Sequence, residues 1–301
     1  MMEIIENILP MGLRSYLREQ GDMSGDKVDM YTYVEEIRLR AGKPVIFHRG
    51  CEMGQWETDY VVSVSDLEES MEYITGFSLY AYESELKEGY VTIRGGHRVG
   101  IAGKVVTVEG RIKTISPISS INIRVSHQVI DCAKDVLPHV IDEDKYCNTL
   151  IVSPPGAGKT TLLRDMIRLL SDRYKLKVSV VDERSEIASC YKGVPQCDVG
   201  IRSDIYDCCH KREGVMLMIR AMSPQVVAVD ELGGVGDMEA MYEAIRCGCK
   251  VLATAHGQSV KDVWERLGKD LCDGVFDRYI VVCNEGVRRM AVYDRQLVCI
   301  C

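Results

Sequence analysis

A run of small residues leads into a lysine and two threonines in VSPPGAGKTT, from Val152 to Thr161. Glycines let the backbone pass close to bound phosphates, and the turn points successive N–H groups at them. Lys159 supplies a mobile positive charge for phosphate oxygens, and the Thr160 hydroxyl is placed to ligate Mg2+. The spacing therefore predicts a nucleotide-binding loop. The residues expected to line the nucleotide are Ser153, Pro154, Pro155, Gly156, Ala157, Gly158, Lys159, Thr160 and Thr161.

The loop departs from the usual pattern at its first position, where Ser153 stands in place of a glycine. That position mainly ends a strand and opens a turn, and serine is small enough for both. An apolar strand precedes the loop and a helix follows it, so the helix dipole adds to the phosphate site. The alternative is a chance loop of glycine and proline with a solvated Lys159. The order of strand, loop and helix disfavours that alternative.

A second motif, VVAVDELGG, places an acidic pair after a short apolar strand. The Asp230 carboxylate can hold the water shell of Mg2+, and Glu231 is suited to polarise an attacking water. Alone this pattern is weak, because acidic residues often end strands. Downstream of a phosphate loop it predicts Thr160 and Asp230 as Mg2+ ligands, with Lys159 and Glu231 as catalytic residues.

Two further motifs follow apolar strands. VVDERSEI carries Asp182, Glu183 and Glu186 around an arginine, and its position favours a role for Glu183 at the site. A solvated acidic turn is the alternative. LATAHG carries Thr254 and His256, either of which could sense the γ-phosphate. A lone histidine is more often structural, but its place after a strand favours His256 as a site residue.

From Asn148 onward, short apolar strands alternate with helices. This alternation predicts an α/β domain with a parallel sheet covered on both faces. Ligands of such a sheet bind beyond the carboxyl ends of its strands, where all four motifs fall. The fold expected for this half is a P-loop nucleotide hydrolase core with a predominantly parallel sheet.

The first half predicts a smaller α+β domain. Its β-branched run from about Tyr90 to Val125 indicates an antiparallel sheet, with turns at Gly95–Gly96 and Glu109–Gly110. Ser65, with Glu68 three residues later, predicts the capped start of a helix. The expected division is an N-terminal domain over residues 1–130, a linker or helix over 131–147, and the nucleotide-binding domain over 148–301.

Composition narrows the class of protein. The chain has 301 residues, 46% apolar and 27% charged, as in ordinary globular proteins. No apolar run is long enough to span a bilayer, so we expect a cytoplasmic protein without direct membrane insertion. A net charge of -8 argues against a dedicated nucleic-acid binder. The 13 cysteines contain no CxxC pair, which disfavours a structural zinc site.

With the four motifs in this order, the second half resembles the RecA-like core of the type II and type IV secretion ATPases. EGVMLMIRAMSPQVV is similar to the arginine-bearing helix of that family, which makes Arg220 a further catalytic candidate. VEEIRLRAGKPV, TIRGGHRVGIAGKVV and VVDERSEIASCYKGVPQCDVGIRSD extend the resemblance to a stage III sporulation branch in endospore-forming bacteria. That resemblance covers almost the whole chain.

The resemblance implies a ring, as a hexamer, with ATP and Mg2+ bound between neighbouring subunits and arginines completing each site. The arginines that could do so are Arg94, Arg98, Arg124, Arg202 and Arg220. It also implies an ATP hydrolase that energises a channel between the mother cell and the forespore. Its partners would be membrane proteins of that channel, and it would lie in the cytoplasm against the forespore membrane, on the mother-cell side.

The sequence leaves two alternatives open. A motor stimulated by nucleic acid would use the basic hairpin region that contains Arg94, His97, Arg98, Lys104, Arg111 and Lys113. A solvated sheet face explains the same cluster. The second alternative is a scaffold that binds ATP and scarcely hydrolyses it.

Overall fold

The computed structural model describes residues 2–23, 34–50, 54–78, 82–143, 145–285 and 287–301. The chain divides into two compact units, Met1–His127 and Gln128–Cys301, called here the N-terminal and C-terminal units. Each unit has its own main sheet. The finer division expected from the sequence, at residues 130 and 147, remains a proposal.

The N-terminal unit combines short helices with a six-stranded sheet whose neighbouring strands all run antiparallel. The helices are α1 (Met2–Ile8), α2 (Met11–Met23), α3 (Val64–Thr75) and α4 (Glu83–Lys87). The strands are β1 (Val34–Arg40), β2 (Pro44–Arg49), β3 (Gln55–Val61), β4 (Tyr90–Ile93), β5 (His97–Val108) and β6 (Arg111–Arg124). Their order is β3-β2-β1-β6-β5-β4.

One face of this sheet is buried because apolar residues alternate along its strands. Ile37 of β1 faces Ile123 of β6, which in turn faces Val99 of β5, and all three have no solvent exposure. The predicted antiparallel sheet over residues 90–125 is present, with positive φ angles at Gly95, Gly96, Glu109 and Gly110 in its turns. The sequence did not predict that β1 would pair with β6 and extend this sheet.

The start of α3 differs from the sequence prediction. Ser63, and not Ser65, is the N-cap: its hydroxyl accepts from the N–H of Asp66 at 3.1 Å. The Asp66 carboxylate accepts from the N–H of Ser63 at 2.7 Å, which completes the capping box in place of Glu68. Ser63 has extended backbone angles, as a cap requires, whereas Ser65 already lies inside the helix.

The C-terminal unit is built on a seven-stranded sheet of order β11-β10-β12-β13-β9-β14-β15. Its strands are β9 (Thr149–Ser153), β10 (Val178–Asp182), β11 (Ser203–Asp207), β12 (Val226–Val229), β13 (Lys250–His256), β14 (Arg278–Glu285) and β15 (Val287–Asp294). Its helices are α5 (Lys159–Asp172), α6 (Lys211–Met222), α7 (Val235–Arg246), α8 (Val260–Leu267) and α9 (Lys269–Val275). Strands β9 to β14 pair in parallel, and β15 closes one edge in antiparallel orientation.

Helices cover both faces of this sheet, as the alternation of strands and helices predicts. On one face, Ile151 packs in a cluster with Leu162 and Met166 of α5. On the other, Leu150 and Val152 pack with side chains from α6 to α9. All residues of β9 are buried, because a central parallel strand has apolar neighbours on both sides.

Before β9, the segment expected to form a linker or helix belongs to the C-terminal unit. It contains turns, a 3-10 helix (Leu137–Val140) and a small hairpin of β7 (Ile141–Asp142) and β8 (Lys145–Tyr146). Pro138 lies at the start of the 3-10 helix, where its missing N–H costs nothing. Leu137 and Val140 are fully buried in the cluster with α5, so apolar packing ties this segment to the sheet.

Candidate functional site

Predicted site residues from three of the four motifs meet at the carboxyl ends of three neighbouring parallel strands. β12, β13 and β9 lie side by side in the middle of the sheet. Asp230 and Glu231 follow β12, His256 ends β13, and Ser153 ends β9. Parallel pairing brings these strand ends to one edge of the sheet, which is where open α/β sheets bind their ligands.

The loop from Pro154 to Gly158 has the glycine conformations that the predicted phosphate-binding turn requires. Gly156 and Gly158 have φ angles of 76° and 87°, in the left-handed region that favours glycine. α5 then begins at Lys159, and Gly158 is its N-cap residue. The Ser153 side chain is buried, and its hydroxyl donates to the carbonyl oxygen of Pro154 at 3.0 Å. Serine therefore ends the strand and holds the start of the loop.

Lys159 reaches directly to the acidic pair. Its Nζ lies 2.8 Å from Oε1 of Glu231 and 3.3 Å from Nε2 of His256. His256 Nε2 is itself 2.9 Å from the same Oε1. The other oxygen of Glu231, Oε2, accepts from Arg184 at 2.8 Å. Burial alone would raise the pKa of Glu231, but Lys159, His256 and Arg184 outweigh it and lower the pKa to about 2.

A second group of contacts surrounds Asp230. The Thr160 hydroxyl donates to Oδ2 of Asp230 at 3.0 Å, and the Thr254 hydroxyl donates to Oδ1. Thr254 Oγ1 in turn accepts from the N–H of Glu231 at 2.8 Å. Glu231 has a φ angle of 52°, a left-handed conformation that costs a non-glycine residue about 1–3 kcal/mol. Thr254 thus fixes a strained backbone whose side chain points at Lys159.

The pairing of Thr160 with Asp230 fits the ligand preference of Mg2+. That ion takes oxygen ligands, keeps several waters and uses one or two protein carboxylates together with substrate phosphates. Asp230 is only 8% exposed, so its carboxylate is largely shielded from solvent at the edge of the sheet. Among the described residues, no cluster of three or more His, Cys, Asp or Glu side chains could hold a metal by itself.

The acidic motif after β10 has divided roles. Asp182 is 1% exposed, and its carboxylate accepts from the N–H groups of Glu186, Ile187 and Ala188 at 2.8, 2.9 and 2.9 Å. Burial raises the pKa of Asp182 to about 6 against those hydrogen bonds. Asp182 therefore shapes the loop, and it is Arg184 that reaches Glu231.

Glu183 points toward α6. Its carboxylate contacts His210 Nδ1 at 2.7 Å and the ammonium of Lys211. Burial raises its pKa, but Lys211 and His210 lower it below the usual range overall. In the described part of the chain, no hydrogen bond or ion pair joins Glu183 to Lys159 or Glu231.

Two of the arginine candidates, Arg220 and Arg202, belong to the same unit as this cluster. Arg220 is exposed in the last turn of α6, and no ion pair or hydrogen bond within the described ranges connects it to Glu231. Arg202 precedes β11 at the amino edge of the sheet, where it donates to the carbonyl oxygen of Ser171 at 3.2 Å. Arg94, Arg98 and Arg124 belong to the N-terminal unit, where Arg98 stacks 4.1 Å from the ring of Tyr90.

Arg184 is the arginine of the acidic motif VVDERSEI, and the sequence pattern indicates no function for it. Its partner, Glu231, lies 47 positions away in the chain. An arginine among three carboxylates gives no signal of which carboxylate it binds. The pairing depends on β10 and β12 being neighbours in the sheet.

The strand order and the loop that joins β9 to α5 define the class of fold, and two solved structures share it. The ATPase DotB of Legionella pneumophila has a TM-score of 0.61 at 15% identity, over 95% of this chain and 81% of that chain. The pilus retraction motor PilT, solved with bound ADP, has a TM-score of 0.61 at 15% identity, over 92% and 80%. The fold is therefore the RecA-like fold of secretion ATPases, as the sequence predicts.

Comparison of the whole sequence identifies the family. The family model described as Sporulation stage III, protein AA matches residues 2–298. Stage III sporulation protein AA of Bacillus subtilis (strain 168) is 41% identical over 286 residues, which are 93% of this chain and 90% of that protein. The chain belongs to the stage III sporulation protein AA family, which confirms the resemblance drawn from its motifs. None of the helices in the described ranges is long and apolar enough to cross a membrane.

Proposed function

We propose that this chain is a Mg2+-dependent ATP hydrolase, a secretion-type motor that energises a sporulation channel between the mother cell and the forespore. The observation that carries the proposal is the convergence of two separate motifs. Lys159 lies 2.8 Å from Glu231, and Thr160 lies 3.0 Å from Asp230. Each motif alone has a structural explanation. Together they place a lysine beside the carboxylate that would orient water and a threonine beside the carboxylate that would hold Mg2+, as phosphoryl transfer requires.

The residues have distinct roles in this proposal. The loop from Ser153 to Thr161 and the amino end of α5 bind the phosphates, and Lys159 neutralises the charge that develops on them. Thr160 and Asp230 would hold Mg2+, which neutralises phosphate charge when bound. Glu231 orients the attacking water, and its low pKa keeps it ionised. Because Lys159 contacts Glu231, it must turn from that carboxylate toward the phosphates when ATP binds.

His256 remains a proposed site residue, because its Nε2 contacts both Lys159 and Glu231. Its carbonyl oxygen accepts from Arg266 of α8 at 2.8 Å, which fixes the end of β13. The Glu183 carboxylate contacts residues at the start of α6, so we propose that Glu183 affects the site only indirectly, by holding the loop that also carries Arg184. Arg220, Arg94, Arg98, Arg124 and Arg202 remain candidates to complete a site between subunits of a hexameric ring.

The direct test measures phosphate release from ATP and Mg2+ by the full chain and by Lys159→Ala. We expect Lys159→Ala to lose nearly all turnover and Glu231→Gln to bind ATP but turn over slowly. Lys177→Ala is the matched control, because Lys177 is exposed before β10, at the opposite edge of the sheet. Wild-type turnover by folded Lys159→Ala would refute the catalytic assignment. Binding of ATP without measurable turnover by the wild-type chain would favour the scaffold.

A second experiment tests assembly and partners. Light scattering with ATP should give the mass of a ring, and the rate per subunit should rise with protein concentration as the ring forms. We propose that membrane proteins of the channel recruit the ring to the forespore membrane on the mother-cell side. Strong stimulation by DNA or RNA would favour a nucleic-acid motor in place of the channel role.

A further inference from the structure

Arg184 contacts the residue that orients water in the proposed mechanism, yet that mechanism gives it no role. Its Nη1 donates to Oε2 of Glu231 at 2.8 Å. Lys159 and His256 contact Oε1, at 2.8 and 2.9 Å. The two oxygens of one carboxylate are therefore held by different parts of the chain.

The loop that carries Arg184 is held in place by buried contacts. Three backbone N–H groups after Arg184 donate to the buried carboxylate of Asp182. Arg164 of α5, 6% exposed, donates to the carbonyl oxygens of Ile187 and Glu186 at 2.5 and 2.7 Å. The helix that begins with Lys159 thus also anchors the loop of Arg184. This anchoring sets the position of the guanidinium relative to the phosphate-binding loop.

The pair of Arg184 and Glu231 contributes little to stability. The Arg184 side chain is 58% exposed, and an exposed ion pair is worth at most about 1 kcal/mol. The Arg184 guanidinium also lies 3.5 Å from the carboxylate of Glu186, so its positive charge interacts with two carboxylates. What the contact supplies is the direction of one carboxylate oxygen, next to a backbone that Thr254 already fixes.

We infer that Arg184 is a positioning residue that holds Oε2 of Glu231 while Lys159 turns from Oε1 to the phosphates. Oε1 then becomes the oxygen that orients the attacking water. Without Arg184, departure of Lys159 leaves His256, on Oε1, as the remaining one of these three contacts to the Glu231 carboxylate. Oε2 is then no longer held in place, and a displacement of about 1 Å can cost a hundredfold in rate. This inference rests on the proposed ATP hydrolysis and adds a residue to it.

The experiment compares Arg184→Gln and Arg184→Lys with the wild-type full chain, at saturating ATP and Mg2+. We expect Arg184→Gln to lower kcat by up to about a hundredfold with little change in KM. Arg184→Lys should recover part of kcat, because a single contact to Oε2 needs one donor and one positive charge. The matched control is Arg212→Gln, since Arg212 is exposed and its only ion pair in the described residues, with Glu239, is 3.8 Å long. Arg212→Gln should match the wild type.

A double-mutant cycle separates positioning from a merely structural role. Under single-turnover conditions, Arg184→Gln should cost nothing further in the Glu231→Gln background, because its effect acts through the carboxylate. Additive losses, a change in KM alone, or an unchanged kcat in Arg184→Gln would each overturn the inference and leave ATP hydrolysis standing. A wild-type rate no higher than that of Lys159→Ala would refute the proposed function, and the inference with it.

Discussion

Replacing Thr254 by valine preserves the shape of a buried side chain and removes its hydroxyl. That hydroxyl accepts from the N–H of Glu231 at 2.8 Å and donates to Oδ1 of Asp230. Thr254 has no solvent exposure, so water cannot take its place. A hydrogen bond to a charged group contributes about 1.5–3 kcal/mol. The Glu231 N–H keeps a second acceptor in Asp230 Oδ1, at 3.0 Å. We expect the free energy of unfolding of the C-terminal unit to fall by about 2–3 kcal/mol.

The same substitution should also impair turnover. Glu231 has a φ angle of 52°, and loss of Thr254 lets this strained backbone relax away from Lys159. A displacement of about 1 Å would lower kcat by about a hundredfold. Urea unfolding followed by circular dichroism measures the first effect, and phosphate release at saturating ATP and Mg2+ measures the second.

Thr149→Val is the matched control for Thr254→Val. Thr149 is equally buried, and its hydroxyl donates to the carbonyl oxygen of Cys147 at 2.7 Å, at the amino end of β9. Its loss should cost about 1 kcal/mol and leave kcat unchanged. The reasoning is refuted if Thr254→Val keeps the wild-type kcat and unfolds within about 0.5 kcal/mol of the wild type.

Three further predictions concern pH, loop anchoring and metal. Burial, with the charge of His127, lowers the pKa of His97 from 6.5 to about 4. Between these two pH values the unfolded chain binds more protons than the folded chain. The free energy of unfolding of the N-terminal unit should therefore fall by up to about 3 kcal/mol as pH falls from 6.5 to 4. In urea unfolding across this range, His97→Asn should remove most of that dependence; an unchanged slope would contradict it. Arg164→Met should cost about 2–3 kcal/mol of unfolding free energy, because the carbonyl oxygens of Ile187 and Glu186 lose their donor, and it should also lower kcat. Replacing exposed Arg173 by Met should do neither. EDTA should abolish phosphate release, and added Mg2+ should restore it. Without ATP, EDTA should not shift the melting temperature, since the described residues hold no self-contained metal cluster. Phosphate release that persists in EDTA would exclude a requirement for Mg2+.

The candidate site was largely predictable because its residues sit in short motifs whose positions the strand pattern determines. Lys159, Thr160, Asp230, Glu231 and His256 each follow or end an apolar strand. A parallel sheet brings such strand ends together, so local pattern was sufficient to expect their meeting. The same reasoning placed the antiparallel hairpins of the N-terminal unit, because glycine-containing turns mark them.

Long-range partners were not predictable in this way. Glu183 was expected at the site, but Lys211 and His210 at the start of α6 bind its carboxylate. Asp182 was grouped with the site residues, but buried backbone N–H groups take both of its oxygens. In each case the choice between neighbouring acidic residues depends on which cation or N–H group the folded chain places beside them.

The sequence by itself predicted a phosphate site and its metal ligands, because glycine spacing, a lysine, a threonine and an acidic strand end are typical of such a site. It also determined the family, through long motifs spread over the chain. Only the tertiary structure decided that Arg184 and Lys159 hold opposite oxygens of Glu231 and that Thr254 fixes the strained Glu231 backbone. These contacts depend on the order β10-β12-β13-β9, which brings segments far apart in the chain within hydrogen-bonding distance.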